Sequence, residues 1–114
     1  AGGSDRRGPR AGSRFSEVRV VLTPLALVEL GDAAAFYAAT GTVELGRDFV
    51  NEFERVAAFI LSNPKSGATF RGTRRRYPLR RFPFSVIYQV TTEDVRVIAI
   101  AHQRRRPGNW ARRR

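Results

Sequence analysis

Two apolar runs separated by three residues limit the fold of this chain more than any other feature of its sequence. The first, FPFSVIYQV, covers residues 82–90, and the second, DVRVIAIAH, covers residues 94–102. Both are rich in β-branched and aromatic residues, which favour strands. The three-residue connection predicts that they pair as an antiparallel hairpin. Because both runs are almost continuously apolar, we expect them to be central strands of a sheet, covered by helices on at least one face.

Two helical segments precede this hairpin. Thr23 and Pro24 predict the start of the first helix. The threonine hydroxyl can cap the helix, and proline fits its first position because an N–H there would have no partner within the helix. Gly41 predicts its end, and the second helix is expected to run from near Thr42 to residues 63–64. A connection of one or two residues requires the helices to fold back on each other. The predicted apolar stripes are Leu27, Leu30, Ala34 and Tyr37 in the first helix, and Leu45, Phe49, Phe53, Val56 and Ile60 in the second.

The remaining segments complete an α+β fold. Residues 15–22 are expected to form a first strand whose partner the pattern does not identify, and residues 65–74 are expected to be a loop. The stretch RRYPLRR (75–81) is a short strand candidate, and its Pro78 predicts an edge position or a bulge. The expected order is β-α-α-β-β-β, a helical hairpin packed on a small, mostly antiparallel sheet. Residues 1–14 are expected to be a disordered basic tail, and residues 15–114 a single domain.

Positive charge is concentrated in the second half of the chain. Residues 65–114 hold fourteen Lys or Arg against two carboxylates, net +12, whereas residues 15–64 hold three Arg against seven carboxylates, net −4. Twenty of the 21 basic residues are arginine, whose planar guanidinium forms paired hydrogen bonds with carboxylate or phosphate. The basic half therefore predicts an anionic partner, either nucleic acid or an acidic protein.

Several classes of protein are disfavoured by the composition. The absence of cysteine excludes a disulfide framework and cysteine-bound metal, and no carboxylate pair, metal-ligand cluster or glycine-rich phosphate loop is evident. We therefore expect no metal and no cofactor. No run of 18 apolar residues occurs, so no membrane span or membrane partner is expected, and the predicted location is the cytoplasm.

Five phrases of the sequence, in this order, resemble the RelE/ParE superfamily of toxins from bacterial type II toxin–antitoxin systems. They are LTPLALVEL, AAAFYAATG, LGRDFVNEFERVAAFILSNPKSG, RRYPLRRFPFSVIYQV and VRVIAIAHQRRRPGNW, and they cover roughly residues 16–112. The resemblance implies a small basic toxin, neutralised by a cognate antitoxin that lays an acidic segment over it, in a hetero-oligomer. ParE-like members of the superfamily poison DNA gyrase, whereas RelE-like members cut messenger RNA on the ribosome.

The residues expected of a RelE-like ribonuclease are only partly present. Ser85 stands where that branch has a strand arginine, Pro78 where it has a lysine, and Trp110 where it has a terminal tyrosine. Arg76 and Arg105 match basic positions of the branch, and His102 is a candidate general acid or base. A histidine that only ends a strand is the simpler interpretation. The resemblance therefore favours a ParE-like gyrase inhibitor without catalytic residues, with a ribonuclease that uses Arg76, His102 and Arg105 as the alternative. A non-toxic basic binding module on the same fold is a second alternative.

Two sets of candidate contact residues follow. Arg74, Arg75 and Arg76 are expected to bind the acidic segment of the antitoxin. The residues expected to contact DNA gyrase, or alternatively the ribosome and its messenger RNA, are Arg80, Arg81, His102, Arg104, Arg105, Arg106 and Trp110.

Overall fold

The computed structural model describes residues 19–104, which form two helices followed by most of a five-stranded sheet. The elements are β1 (Arg19–Leu22), α1 (Pro24–Thr40), α2 (Val43–Ser62), β2 (Ala68–Thr69), β3 (Arg74–Pro78), β4 (Phe84–Val90) and β5 (Asp94–His102). The α+β class and the predicted order are confirmed, with one addition. The two-residue β2 lies in the segment that was expected to be a loop. The tail expected at residues 1–14 lies outside the described residues.

Hydroxyl groups cap both helices at the predicted positions. The Thr23 Oγ1 atom accepts a hydrogen bond from the Ala26 N–H at 3.2 Å, and the Thr42 Oγ1 atom accepts one from the Leu45 N–H at 3.0 Å. The Gly41 N–H donates to the Tyr37 carbonyl at 2.9 Å and closes α1. These bonds satisfy amide groups that a helix end leaves without partners. The helical hairpin is therefore defined locally, by the residues that begin and end each helix.

The two helices contact each other through the buried Gly46 of α2. A Cβ atom at Gly46 would lie 2.8 Å from the Ala34 carbonyl oxygen of α1. The predicted stripe of α2 is confirmed, with its last four members buried and Leu45 half-buried. The stripe predicted for α1 is wrong at Leu27, which is 60% exposed, while Ala26 is fully buried. Because α1 is apolar on most of its surface, its pattern does not define one buried face.

The sheet has the strand order β1-β5-β4-β3-β2. The predicted β4–β5 hairpin is confirmed and lies at the centre, with β3 antiparallel to β4. Strand β1 pairs in parallel with β5, from Arg19 beside Asp94 to Leu22 beside Val97. Pro78 is the last residue of β3. Strand β2 pairs only with residues 75 and 76, so no strand lies beside Pro78 on that edge, and its missing N–H costs no hydrogen bond to β2.

The sheet has one face packed on the helices and one face turned away from them. On the helix side, Val86, Tyr88 and Val97 are fully buried in the main core. Ile87 pairs with Ala99, but the next residue, Tyr88, pairs with Val97. Ile98 of β5 therefore has no partner in β4, and the strand has a bulge there. We call the other face the outer face, and its residues, paired across β3, β4 and β5, are Arg74, Arg76, Ser85, Ile87, Gln89, Arg96, Ala99 and Ala101.

Candidate functional site

His102 is the last residue of β5 and is half-buried. Its ring meets the Phe84 ring edge-on, with 4.9 Å between the ring centroids. Its Nδ1 atom accepts a hydrogen bond from the Arg104 N–H at 3.1 Å. One imidazole nitrogen is thus used by the backbone turn that follows the strand. These contacts fit a packed histidine at a strand end.

A cleft of about 360 Å³ lies between α1 and the end of β5, with His102 on its wall. The carboxylates Glu29 and Asp32 line the same cleft, together with the rings of Phe36 and Tyr37. Burial raises the pKa of the Tyr37 hydroxyl above the ordinary tyrosine value. On this side the imidazole therefore lies beside carboxylates and aromatic rings.

The structure separates His102 from Arg76, the other described member of the expected ribonuclease set. His102 pairs with Phe84, whose side chain packs against the main core on the helix side. Arg76 pairs with Ile87, which belongs to the separate cluster on the outer face. Neighbours paired across strands share a face, so the two side chains lie on opposite faces of the sheet. Arg105, the third member, lies outside the described residues.

By contrast, the described residues predicted to contact a target come together at one end of the sheet. Arg80 and Arg81 lie in the loop between β3 and β4, and the Gln103 N–H donates to the Pro83 carbonyl of that loop at 2.8 Å. This bond places the loop beside His102 and Arg104. Arg106 and Trp110 lie outside the described residues.

Carboxylates of α2 anchor this loop. The Arg80 N–H donates to the Glu52 Oε2 atom at 2.6 Å, and an Arg81 guanidinium nitrogen lies 3.5 Å from an Asp48 carboxylate oxygen. Arg81 also adopts a positive φ of 71°, which is unusual for a residue with a side chain. Hydrogen bonds from Arg55, reinforced by the Arg80 N–H, hold the pKa of Glu52 below its ordinary value, although burial opposes the shift. The loop is therefore fixed to the helix layer.

The predicted arginine triplet of β3 is divided between the two faces. Arg74 and Arg76 lie on the outer face, as their pairing with Gln89 and Ile87 shows. Arg75 points the other way, and its Nη1 atom donates to the Lys65 carbonyl at 3.1 Å and to the Gly67 carbonyl at 2.8 Å. Arg75 thus ties the segment after α2 to the sheet. Its guanidinium is used within the fold.

The outer face has a buried apolar centre with arginines around it. Ile87 and Ala99 are fully buried, and Phe70 packs against them. The Ser85 hydroxyl, also on this face, is buried and has no hydrogen-bond partner among residues 19–104. Arg76 is exposed, and half of the Arg96 side chain is exposed, 4.0 Å from an Asp94 carboxylate oxygen. A ribonuclease needs a cation near the phosphate to stabilise the charge that develops as RNA is cut. Ser85 is uncharged and buried, so it cannot supply that cation.

Sequence reasoning missed two residues that shape these surfaces. The Glu29 carboxylate accepts a hydrogen bond from the Ile100 N–H at 3.0 Å. The pairing of β5 with β1 ends at Val97, so this N–H has no neighbouring strand to accept from it. Nothing in the helical pattern identifies this contact, because it joins residues 71 positions apart. Arg96 was detectable, since it is the one cation within the run DVRVIAIAH.

Between residues 19 and 104, no three His, Asp or Glu side chains are grouped so that they could hold a metal ion. Neither described helix has the length and apolar character needed to cross a membrane.

Comparison with known proteins identifies the class to which this fold belongs. Residues 20–107 match the family model described as the ParE toxin of the type II toxin–antitoxin system, parDE. The fold also matches a solved structure of the chromosomal ParDE toxin–antitoxin system from P. aeruginosa. That match has a TM-score of 0.67 and 18% sequence identity, and covers 75% of this chain and 96% of the other. No curated protein gives a significant sequence match.

The family match extends from β1 to beyond the end of β5, across every element described above. The chain belongs to the ParE toxin family of type II toxin–antitoxin systems.

Proposed function

We propose that this toxin arrests growth by inhibiting DNA gyrase without catalysing a reaction itself, and that a cognate antitoxin neutralises it in a hetero-oligomer. Membership of the ParE family supports both parts. The similar structure from P. aeruginosa is of a ParDE toxin–antitoxin system, which further supports a dedicated protein partner.

The separation of Arg76 from His102 is the observation that carries the non-catalytic part of this proposal. Cutting RNA through its 2′-hydroxyl needs a base, an acid and a cation within hydrogen-bond reach of one phosphate. The two described candidates face opposite sides of the sheet. A single phosphate cannot contact both.

We assign the contact with gyrase to the end of the sheet where the β3–β4 loop meets the end of β5. Arg80, Arg81 and Arg104 are exposed there, beside the half-buried His102. The anchoring of the loop to Glu52 and Asp48 supports this assignment, because a preorganised surface loses little entropy on binding. Arg105, Arg106 and Trp110 come later in the sequence, and we propose that they contact gyrase as well.

We assign the antitoxin contact to Arg74 and Arg76 on the outer face, together with an apolar groove on the helix side of the same β2–β3 hairpin. The groove has a volume of about 880 Å³ and lies between the end of α2 and the β2–β3 hairpin. Its walls include Phe59 and Val90, which are 40% and 41% exposed. An acidic, amphipathic segment would find apolar anchors and Lys65 in the groove, and would reach Arg74 and Arg76 by continuing round the sheet onto the outer face. Arg75, predicted to bind the antitoxin as well, would act indirectly by holding the wall of the groove.

The test of the target compares two purified reactions. The toxin is added to gyrase with relaxed plasmid and, separately, to translating ribosomes, whose message is then mapped by primer extension. We expect inhibited supercoiling and an uncut message. Cuts in codon register that disappear in His102→Ala or Arg76→Ala would instead establish the ribonuclease. No effect in either reaction, with no growth arrest on expression, would favour the non-toxic binding module.

The test of the antitoxin contact uses single variants. Arg76→Gln should weaken the complex and reduce its dependence on salt, because one charged contact is lost. Arg47→Gln, on the exposed surface of α2, removes the same charge elsewhere and should leave the affinity unchanged. Equal affinity of the Arg76→Gln variant and the wild type at low and high salt would reject this contact.

A further inference from the structure

Charge is divided between the two layers of this molecule. Helices α1 and α2 hold two arginines against six carboxylates, whereas residues 65–104 hold nine Lys or Arg against two carboxylates. The helix layer is therefore acidic, and the sheet with its loops is basic. Such a molecule approaches a polyanion with its sheet foremost, because the field of the whole chain orients the encounter.

The arginines of the outer face form a regular array. Arg74, Gln89 and Arg96 are neighbours across three adjacent strands. With about 4.8 Å between strands, the two arginines of this row stand roughly 10 Å apart. Arg76 lies two residues along β3 from Arg74, or about 7 Å. The one described carboxylate close to this array is Asp94, 4.0 Å from Arg96. Arg76 and Arg96 thus present two separate, exposed guanidinium groups on a rigid support.

We propose that the outer face binds the phosphate backbone of duplex DNA directly, through the exposed Arg76 and Arg96, with the half-buried Arg74 between them on the same face. Guanidinium groups pair with phosphate oxygens, and binding releases the counterions that the phosphates had condensed. Spacings of 7–10 Å let each arginine meet a different phosphate, since each DNA strand carries one charge per roughly 3.4 Å of helix axis. The contact reads no base sequence, because contacts with phosphates carry none.

The buried centre of the face favours DNA over an isolated acidic peptide. A peptide gains most of its affinity from apolar anchors that enter pockets. Ile87 and Ala99 are fully buried and offer no such pocket. A polyanion needs only the exposed cations around them. This contact with DNA does not require gyrase.

The experiment measures the fluorescence anisotropy of a labelled 20-base-pair duplex titrated with the full chain between about 50 and 200 mM salt. Each phosphate contact contributes about 0.9 to the slope of log affinity against log salt. Arg76→Gln and Arg96→Gln should each lower that slope by about 0.9 and weaken binding equally for unrelated sequences. Arg47→Gln, on α2, makes the same change in net charge and should leave the slope unchanged.

Three outcomes would overturn the proposal. The first is no binding of the duplex by the wild type in low salt. The second is an equal loss of slope in all three variants, which would show that net charge alone attracts the DNA. The third is binding of polyglutamate but not of duplex, dependent on Arg76 and Arg96, which would assign the face to an acidic protein. Circular dichroism spectra of the variants identify any that fail to fold. Lysine replacements at the same positions, which keep the charge, should then restore the slope.

Discussion

At the scale of single residues, the Tyr88 hydroxyl joins the sheet to the segment that follows α2. It donates to the Pro64 carbonyl at 2.8 Å and accepts from the Gly67 N–H at 2.9 Å, although the side chain is fully buried. A Cβ atom at Gly67 would lie 2.7 Å from that hydroxyl, so only glycine fits there. One phenol thus positions the segment that Arg75 also holds. Both hydrogen bonds of the Tyr88 hydroxyl are made within the fold, so its role is structural.

Removing this hydroxyl should destabilise the protein measurably. In Tyr88→Phe the buried Gly67 N–H loses its acceptor, and we expect the free energy of unfolding to fall by about 1–3 kcal/mol. Urea denaturation, followed by circular dichroism, measures the change. Tyr77→Phe is the matched control, because the Tyr77 ring packs on Phe59 and no hydrogen bond of its hydroxyl is found within residues 19–104. Equal stability of the Tyr88→Phe and wild-type proteins would contradict this account.

Glu52 should make the stability of the fold depend on pH. Its pKa is lowered in the folded protein, mainly by the hydrogen bonds from Arg55. The folded state therefore favours the carboxylate more than the unfolded state does. The resulting stabilisation is complete above the ordinary glutamate pKa of about 4.3 and is lost as the pH falls through the lowered folded-state pKa.

In Glu52→Gln we expect the free energy of unfolding at pH 7 to fall by about 1–2 kcal/mol. The difference from the wild type should narrow as the medium is acidified below pH 4. Chemical denaturation at a series of pH values measures both effects. Glu54→Gln, an exposed neighbour on the same helix, should show little difference at any pH. A loss in Glu52→Gln that is the same at every pH would show that charge has no part in it.

At the scale of elements, the contact between α1 and α2 depends on the absence of a side chain at one position. Gly46→Ala would place a methyl group 2.8 Å from the Ala34 carbonyl oxygen and 3.0 Å from the Ala38 Cβ atom. We expect a loss of about 1–3 kcal/mol in the free energy of unfolding, because the helices must separate slightly. Thermal or urea unfolding measures it.

Gly31→Ala provides the matched control within the same hairpin. No atom lies within 4 Å of the added Cβ atom at this exposed position in α1. Alanine there should stabilise the protein by about 0.5–1 kcal/mol, since glycine weakens a helix interior. If both substitutions raised the free energy of unfolding, helix propensity would outweigh close packing at Gly46, and the account of this contact would be wrong.

At this scale, the sequence predicted features that depend on neighbouring residues and missed features that depend on residues far apart in the chain. The cap at Thr23, the start of α2 near Thr42 and the β4–β5 hairpin depend on neighbours in the chain, so their residue types reveal them. The parallel pairing of β1 with β5 joins segments separated by the helical hairpin, and no local pattern encodes such a partner. The stripe of α1 failed at Leu27 because a helix that is apolar on most sides gives no clear periodicity.

The candidate site was predicted in part for the same reason. Sequence reasoning found the arginines of β3 and the strand-end histidine. It could not place Arg76 and His102 on opposite faces, because that result requires the register of three strands. A one-residue change in register reverses the face of every later side chain.

At the scale of the whole molecule, the division of charge implies that the antitoxin and DNA compete. Both are assigned to the arginines of the outer face, so stoichiometric antitoxin should release the labelled duplex from the toxin. The anisotropy of the duplex should then return to its free value. A ternary complex, in which anisotropy rises further on addition of antitoxin, would show that the two partners use separate surfaces.

The central claim is that this toxin acts by binding gyrase rather than by catalysis, and supercoiling tests it most directly. Relaxed plasmid is incubated with purified gyrase and ATP over a range of toxin concentrations, with and without antitoxin bound beforehand. We predict that supercoiling falls as toxin rises and is restored by the antitoxin. Full supercoiling at toxin concentrations that arrest growth in cells would contradict the claim.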